Sequence, residues 1–443
     1  MRRSLLLLAL GCLLSVVPAQ WLETTVTLRD SAYPSAICYN SQESKVYCTD
    51  EMHDEVVVVS GTTNGILEQV PVGQRPIAVC YNSANNRVYS ANYLSGDASV
   101  IDGGGDSVVA TVPTGEWPYA ILYYPLRNKV YVANSGSDNV TVIDGGTNQV
   151  LATVGVGSVP RALCANPTND KIYCADNNSG SVTVIDGTSN QVLATVSTGA
   201  RPRSLCYNPR SNKVYCGNYL SDDVAIIDGA SNAVITTVST GFLSAPRVLC
   251  YNPRNNKVYT ANWSSGNVTV IDGGTNQVLT HVPAGNGPWS VFYSPQSNKV
   301  FCANFYGDDV TVIDGATDSV LESIPVTEEP VDFCHNPAEN RVYAANCMSA
   351  CISVLRDTVE VSVRESPGHG LLSPRFGATV ARGLLMLGAV DSRQNAGSGA
   401  ALLDAAGRKV MELRLGPNDV RHLSPGVCFV RSATAVTKVI ITR

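Results

Sequence analysis

Pro160-Arg-Ala-Leu-Cys-Ala-Asn-Pro167, Lys171-Ile-Tyr-Cys-Ala-Asp176, Ser181-Val-Thr-Val-Ile-Asp-Gly187 and Gln191-Val-Leu-Ala-Thr-Val196 follow one another with only short gaps. Each run is β-branched or aromatic at alternate positions, and Asn, Asp, Gly, Ser or Pro punctuate the gaps. Alternation with period two is the pattern of a half-buried strand, and polar punctuation of this length closes hairpins. The stretch predicts four short antiparallel strands.

The unit repeats. Proline opens it at Pro34, Pro76, Pro118, Pro160, Pro202, Pro246, Pro288 and Pro330, at intervals of 42 residues with a single one of 44. A period of this size with four strands is the arithmetic of a propeller blade, which cannot cover both faces alone and must stack into a closed ring. The fold class is therefore all-β, an eight-bladed β-propeller, with seven blades and a detached unit as the alternative. The last unit supplies Val331–Asn336, Arg341–Asn346 and Cys351–Leu355 and lacks a fourth strand in the usual place. Trp21–Leu28 has strand character and is expected to complete it, so that the two chain ends close the ring and hide sheet edges. Thr358–Val363 alternates equally well and competes for that edge.

Around this ring the chain reads as four segments: a signal peptide at 1–19, the propeller at 20–357, a linker at 358–365 and a C-terminal domain at 366–443. Arg2 and Arg3 precede the apolar run Leu5–Val17, and Val17-Pro18-Ala19 is a small-residue cleavage site before Gln20. The run is shorter than the ~20 residues that span a bilayer, and no transmembrane segment is expected in the mature chain. Lipidation at Cys12 is disfavoured by Ala9-Leu10-Gly11, which fits a lipidation box poorly. Removing Arg2 and Arg3 from 31 basic residues leaves 29 against 37 acidic ones, a net charge of −8. Nucleic acid is excluded as a main partner because phosphate binding needs a basic footprint.

The second strand reads Tyr131-Val-Ala-Asn134, Tyr259-Thr-Ala-Asn262, Tyr89-Ser-Ala-Asn92 and Tyr343-Ala-Ala-Asn346, with variants beginning at Tyr47, Tyr173, Tyr215 and Phe301. Followed by V-x-V-I-D-G, this resembles the YVTN-repeat β-propeller of bacterial and archaeal surface proteins, of the YncE-like and surface-layer type, over residues 34 to 356. In the tail, Asp404-Ala-Ala-Gly-Arg-Lys-Val410 and Ser424-Pro-Gly-Val-Cys-Phe-Val430 resemble the hairpin and strand of a type IX (Por) secretion sorting domain, with Cys428 in the aromatic position and no P-N-P opening. That resemblance implies a small antiparallel β-sandwich and a partner in the type IX secretion machinery, with the protein secreted or held at the cell surface.

Cysteine is abundant for an exported chain, at 14 residues. Cys38, Cys80, Cys164, Cys206, Cys250 and Cys334 share one repeat position that also takes Leu122 and Phe292. Cys48, Cys174, Cys216 and Cys302 share another that also takes Ser90, Val132, Thr260 and Ala344. A site that accepts such different side chains is a packing site, where a free thiol behaves as a small hydrophobe. Cys347 and Cys351 flank a tight turn and are the one pair expected to form a disulfide. No metal site and no cofactor is expected, since C-x-x-C spacing is absent.

A basic residue opens the second strand of every unit, from Lys45 to Arg341, and the I-D-G turns place Asp102, Asp144, Asp186, Asp228, Asp272 and Asp314 on the same face. The two rings are expected to cancel as solvated hairpins. The opposite face gathers Tyr93, Trp117, Tyr119, Tyr219, Trp263, Trp289, Phe305 and Tyr306, with Arg75, Arg161, Arg201, Arg203 and Arg247 nearby. Aromatics and arginines on loops suit a glycan, peptide or protein ligand. The competing reading makes several of these aromatics wedges between blades. His53, His281, His335, His369 and His422 fall at unrelated positions, and neither a Gly-x-Ser-x-Gly elbow nor His-Glu-x-x-His occurs. The preferred function is a monomeric, non-catalytic secreted or surface binding or scaffold protein. The alternative is an extracellular or periplasmic propeller enzyme, a lactonase-like hydrolase or a dehydrogenase subunit, using carboxylates and His53 near the central channel. A purely architectural surface-layer role is the third reading.

Overall fold

The computed structural model describes residues 20–358 continuously and, beyond them, seven strands between residues 377 and 441. Contacts divide the chain into two compact units, residues 1–360 and 361–443. The first holds eight four-stranded antiparallel sheets, so the ring has eight blades. Blades 1 to 7 each run from a proline-led first strand outward, as in Pro160–Asn166, Lys171–Asp176, Ser181–Asp186 and Val192–Ser197 of blade 4. First strands of neighbouring blades pack against each other around the axis, while fourth strands are the exposed rim.

Blade 8 is closed by the chain's other end. Trp21–Thr27 pairs antiparallel with Cys351–Arg356, from Trp21 opposite Arg356 to Thr27 opposite Cys351. The seam is dressed with polar contacts. Gln20 donates through Nε2 to the Thr358 hydroxyl (2.7 Å), and Glu23 bridges Arg341 (2.6 Å) and Arg356 (2.8 Å).

Apolar clusters lie between blades rather than within them. Cys164, Tyr173, Val182 and Val184 of blade 4 meet Val214, Cys216, Ala225 and Ile227 of blade 5. All twelve cysteines among the described residues are free, eight of them buried and four half-buried. Burial holds the Cys164 and Cys216 thiols up at about 12, so at neutral pH they stay protonated and pack as hydrophobes. The expected Cys347–Cys351 disulfide is not formed. The residue opposite Cys351 is Asn346, so Cys347 already belongs to the turn and the two thiols face different neighbours. Cys351 Sγ meets the Thr327 hydroxyl at 2.7 Å, and Cys347 Sγ meets a Glu329 carboxylate oxygen at 3.4 Å.

The two charged rings pair directly at Arg87 and Asp102 of blade 2, but most of the other basic side chains reach into the next blade. Lys171 Nζ of blade 4 donates to the carbonyls of Gly229 (2.8 Å) and Ala230 (2.9 Å) and to Asn232 Oδ1 (2.9 Å), all in blade 5. The Tyr173 hydroxyl joins it on Gly229 and Asn232. A side chain on Gly229 would collide with Asn212 and Asn166, which explains glycine after the aspartate. The aspartates serve their own turns instead: Asp186 Oδ1 accepts from the amides of Thr188 and Ser189 and from the Ser189 hydroxyl. The same staple recurs from Lys45, Lys129, Lys213 and Lys257, and from Arg341 across the seam to Gly61. The strand-two asparagine caps its own hairpin, Asn134 Nδ2 reaching Asn139 Oδ1 (2.7 Å) and the Thr141 hydroxyl (2.9 Å). These contacts are the physical content of the K-x-Y…N and I-D-G pattern.

The second unit contains two antiparallel sheets. One holds Gly377–Ala381, Leu384–Gly388 and Gly416–Asp419; the other holds Lys409–Leu413, Ala400–Leu403, Gly426–Arg431 and Val436–Ile441. The expected signal peptide lies outside the described residues. Among the described residues no helix is long and apolar enough to cross a membrane.

Candidate ligand-binding site

Blades 2 to 8 begin with a backbone irregularity at the second residue of the first strand: pairing skips from Pro118 to Ala120, from Pro160 to Ala162, from Pro202 to Ser204 and from Pro246 to Val248. A bulge re-aims the extra residue out of the sheet. The residue before the proline sits in the left-handed region, at φ 54° for Trp117, 56° for Val159, 54° for Arg201 and 53° for Ala245. That conformation costs a non-glycine residue roughly 1 kcal/mol. Backbone bonds lock it, because its carbonyl accepts from the residue that follows the second strand, as in Tyr219 N to Arg201 O (2.9 Å) and Trp263 N to Ala245 O (3.2 Å).

Two concentric arcs result. The inner arc consists of the bulged residues Tyr119, Arg161, Arg203, Arg247 and Trp289 on blades 3 to 7, beside the axis. The outer arc consists of turn residues, among them Tyr93, Tyr219, Trp263 and Phe305. The arcs interlock through charge on aromatic faces. The Arg161 guanidinium lies 4.3 Å from the Tyr119 ring centre, Arg203 5.2 Å from Tyr219, and Arg247 5.7 Å from Trp263 and 3.1 Å from Trp289. Trp263 packs edge-on against Trp289 (5.2 Å) and touches Tyr306 (5.1 Å), while Trp289 stacks on Phe305 (4.5 Å).

The cationic centre lacks an internal counter-charge. Among the described residues no ion pair includes Arg161, Arg203 or Arg247. Arg247 is only 8% exposed, and its Nε and that of Arg161 are buried without a hydrogen-bond partner. Burial first, then the charge of Arg203, pushes Arg247 down to about 9, still protonated at neutral pH. Burial likewise lowers Arg203, with Arg161 adding to the effect. Burial opposes ionisation of Tyr119, but the charges of Arg161, Arg203 and Arg247 together hold its hydroxyl below the usual range. Arg247 is three blades away from Tyr119, so the side chains converge over the axis. The arrangement can grip an anion through charge-assisted hydrogen bonds from partly desolvated guanidiniums.

Tyr119, Tyr219, Trp263, Trp289, Phe305, Tyr306, Arg161, Arg203 and Arg247 thus form one continuous arc. Tyr93 and Trp117 make a separate stacked pair (5.9 Å), covered by Arg75. Phe305, 9% exposed, is a wedge in the apolar core, whereas Trp117 and Tyr306 stand 51% and 57% exposed. The three histidines of the propeller are dispersed and lie outside this arc: His53 bonds Asp50 (2.7 Å), His281 bonds Thr269 (2.9 Å), and His335 lies 3.4 Å from Asp357 at the seam. Among the described residues no group of three or more His, Cys, Asp or Glu is placed to hold a metal ion. The convergence of three arginines is visible only when residues are aligned by repeat position, where they occupy one position in consecutive blades.

A family model described as YNCE-like beta-propeller matches residues 74–259. No curated protein matches the chain. Among solved structures, a chain of Kuenenia stuttgartiensis hydrazine synthase is similar with a TM-score of 0.54 and 21% identity, the match covering 67% of this chain and 100% of that one. Saccharomyces cerevisiae Sqt1 is similar with a TM-score of 0.66 and 11% identity, over 77% of this chain and 100% of that one. At these identities the likeness is one of fold.

Proposed function

We propose that this chain is a non-catalytic, secreted or surface-attached binding protein, whose propeller holds a glycan, peptide or protein ligand over the channel mouth and whose tail serves type IX secretion. The convergence of Arg161, Arg203 and Arg247 inside an aromatic frame, with no carboxylate paired to them, carries this reading. Binding sites need aromatic surface and a few directed polar groups, and both meet here. Hydrolysis or hydride transfer needs more, above all an acid or base within hydrogen-bond reach of the substrate. The arc offers guanidiniums, which do not exchange protons near neutral pH, and the Tyr119 phenol; among the described residues no imidazole or carboxylate joins it. Peptide and glycan arrays probed with the full chain test the proposal. Saturable binding that is lost on substituting the arc residues is expected. Turnover of a lactone or an alcohol at this site, without stable binding, would replace the proposal with the enzymatic one. Retention of a 366–443 deletion variant inside the cell is the expected sign of the tail's role, and unchanged export would remove it.

A further inference from the structure

The loop face bears a second, unassigned pattern. Two positions past the end of the second strand stand Met52 (66% exposed), Leu94 (57%), Leu220 (57%), Tyr306 (57%) and Met348 (57%), all at one repeat position. Trp117 (51%), Phe242 (89%) and Leu243 (62%) join them from the connections between blades, the last two in the unit whose interval is 44 rather than 42. In the turns of the opposite face Leu126 is the one exposed large apolar residue among those described. Solvated turns ordinarily carry polar residues, so a rim of this kind marks a contact surface.

Building on the binding reading above, we infer that the ligand is an acidic polypeptide segment, which seats one carboxylate among Arg161, Arg203 and Arg247 and lays apolar side chains on the surrounding rim. Charge complementarity selects the anion. The guanidinium fork matches the planar carboxylate in two parallel hydrogen bonds, and among the described residues no carboxylate pairs with these arginines. Three acids of this face are engaged elsewhere: Glu51 pairs with Arg75, Asp54 accepts from the Arg75 amide, and Asp222 accepts from Leu243 and Ala245 amides. Composition selects the polypeptide. Methionine, leucine and phenylalanine beside tyrosine, tryptophan and arginine are the residues of a protein contact, and flexible methionines adapt to varied side chains. A saccharide would use the aromatic rings and leave Met52, Leu94, Leu220 and Met348 without a role.

The test uses the full chain and a library of ten-residue peptides read by fluorescence anisotropy. Each peptide is made as free acid and as C-terminal amide, and with Asp and Glu exchanged for Asn and Gln; acidic and neutral oligosaccharides run alongside. Binders should carry a carboxylate beside apolar residues and lose about tenfold or more in affinity when it becomes a carboxamide. Loss confined to amidation assigns the chain terminus, and loss confined to Glu→Gln or Asp→Asn assigns a side chain. Arg203→Gln and Arg247→Leu should weaken binding at least tenfold, and Leu94→Ser less. Acetate should displace the peptide from the unmodified protein while chloride at equal ionic strength does not, which keeps the inference open to refutation should the variants fail to fold. Carboxamide peptides that bind equally well would overturn the carboxylate seat and leave the binding face standing. Saccharides that bind where peptides do not would overturn the polypeptide. Silence from peptides, saccharides and acetate alike would take down the proposed function with it.

Discussion

The two faces of the propeller are built from the same eight units and spend their polar groups in opposite ways. On the face of the I-D-G turns, every lysine staple ends on a neighbour's carbonyl: Lys129 on Gly187 and Thr188, Lys171 on Gly229 and Ala230, Lys257 on Gly315 and Ala316. On the other face Arg161 and Arg247 keep buried nitrogens without partners, and apolar tips stand in water. On the first face the lysine charges are compensated by the fold itself. The second carries desolvated guanidinium charge that no ion pair among the described residues compensates, and that cost is the reason for placing the proposed ligand there.

The contrast can be broken or sharpened by experiment, beginning at the seam that holds both faces together. Deleting residues 20–28 strips blade 8 of its outer strand and bares the edge of Cys351–Arg356. Loss of cooperative urea unfolding, with aggregation on gel filtration, is expected. A variant that unfolds in a single sharp transition at the original midpoint would show that the seam is dispensable. Next in size is the face of the lysine staples. Lys171→Met leaves two carbonyls and Asn232 short of a buried donor and should cost about 3 kcal/mol, read from the urea midpoint at unchanged slope.

A carboxylate on the first strand of blade 8 gives the comparison a pH axis. Burial raises Asp332 to about 6, against opposing hydrogen bonds from the Ile37 and Phe333 amides. The folded protein therefore binds a proton that the unfolded chain has released, and stability falls as pH rises from about 4 to about 6, then levels. Asp332→Asn keeps an acceptor for Ile37 and should flatten that slope, gaining about 2 kcal/mol at neutral pH. Thermal melts across the window decide it: an unchanged slope would remove Asp332 as the cause.

The smallest effect is the most discriminating. Arg247→Leu removes a buried charge with no ionic partner, so melting temperature should hold or rise by the equivalent of about 1 kcal/mol. A fall of several degrees would move Arg247 from the ligand face to the structural one.

The fold was readable because its signals are local and repeated: proline spacing, alternation and polar turns need no knowledge of distant contacts. The closure by Trp21–Thr27 followed from counting strands in the last unit. Contacts between units were harder. Lys171 looked like a partner for the aspartates of its own face because both lie in hairpins, yet its acceptors are backbone carbonyls 58 and 59 residues onward, in groups that every sequence contains. Cys347 and Cys351 seemed poised to bridge because a hairpin brings its ends together, but the register puts Asn346, not Cys347, opposite Cys351. The arginine centre was only half visible. Arg161, Arg203 and Arg247 were legible as residues of the aromatic loop face, but nothing in the spacing shows that a bulge turns all three toward one axis.

The pairing of Trp21 with Arg356 has a consequence in time. Blades 1 to 7 are each contiguous in the chain and can form as soon as their own residues are available. The eighth cannot, because its outer strand is the first part of the propeller to emerge and its other three are the last. The entropy of closing so long a loop must be met before Trp21–Thr27 can bond to Cys351–Arg356. Until then the leading strand is unpaired, and the growing ring is an open arc with a reactive edge at each end. Closure of the ring therefore waits on its final propeller strand, Cys351–Arg356.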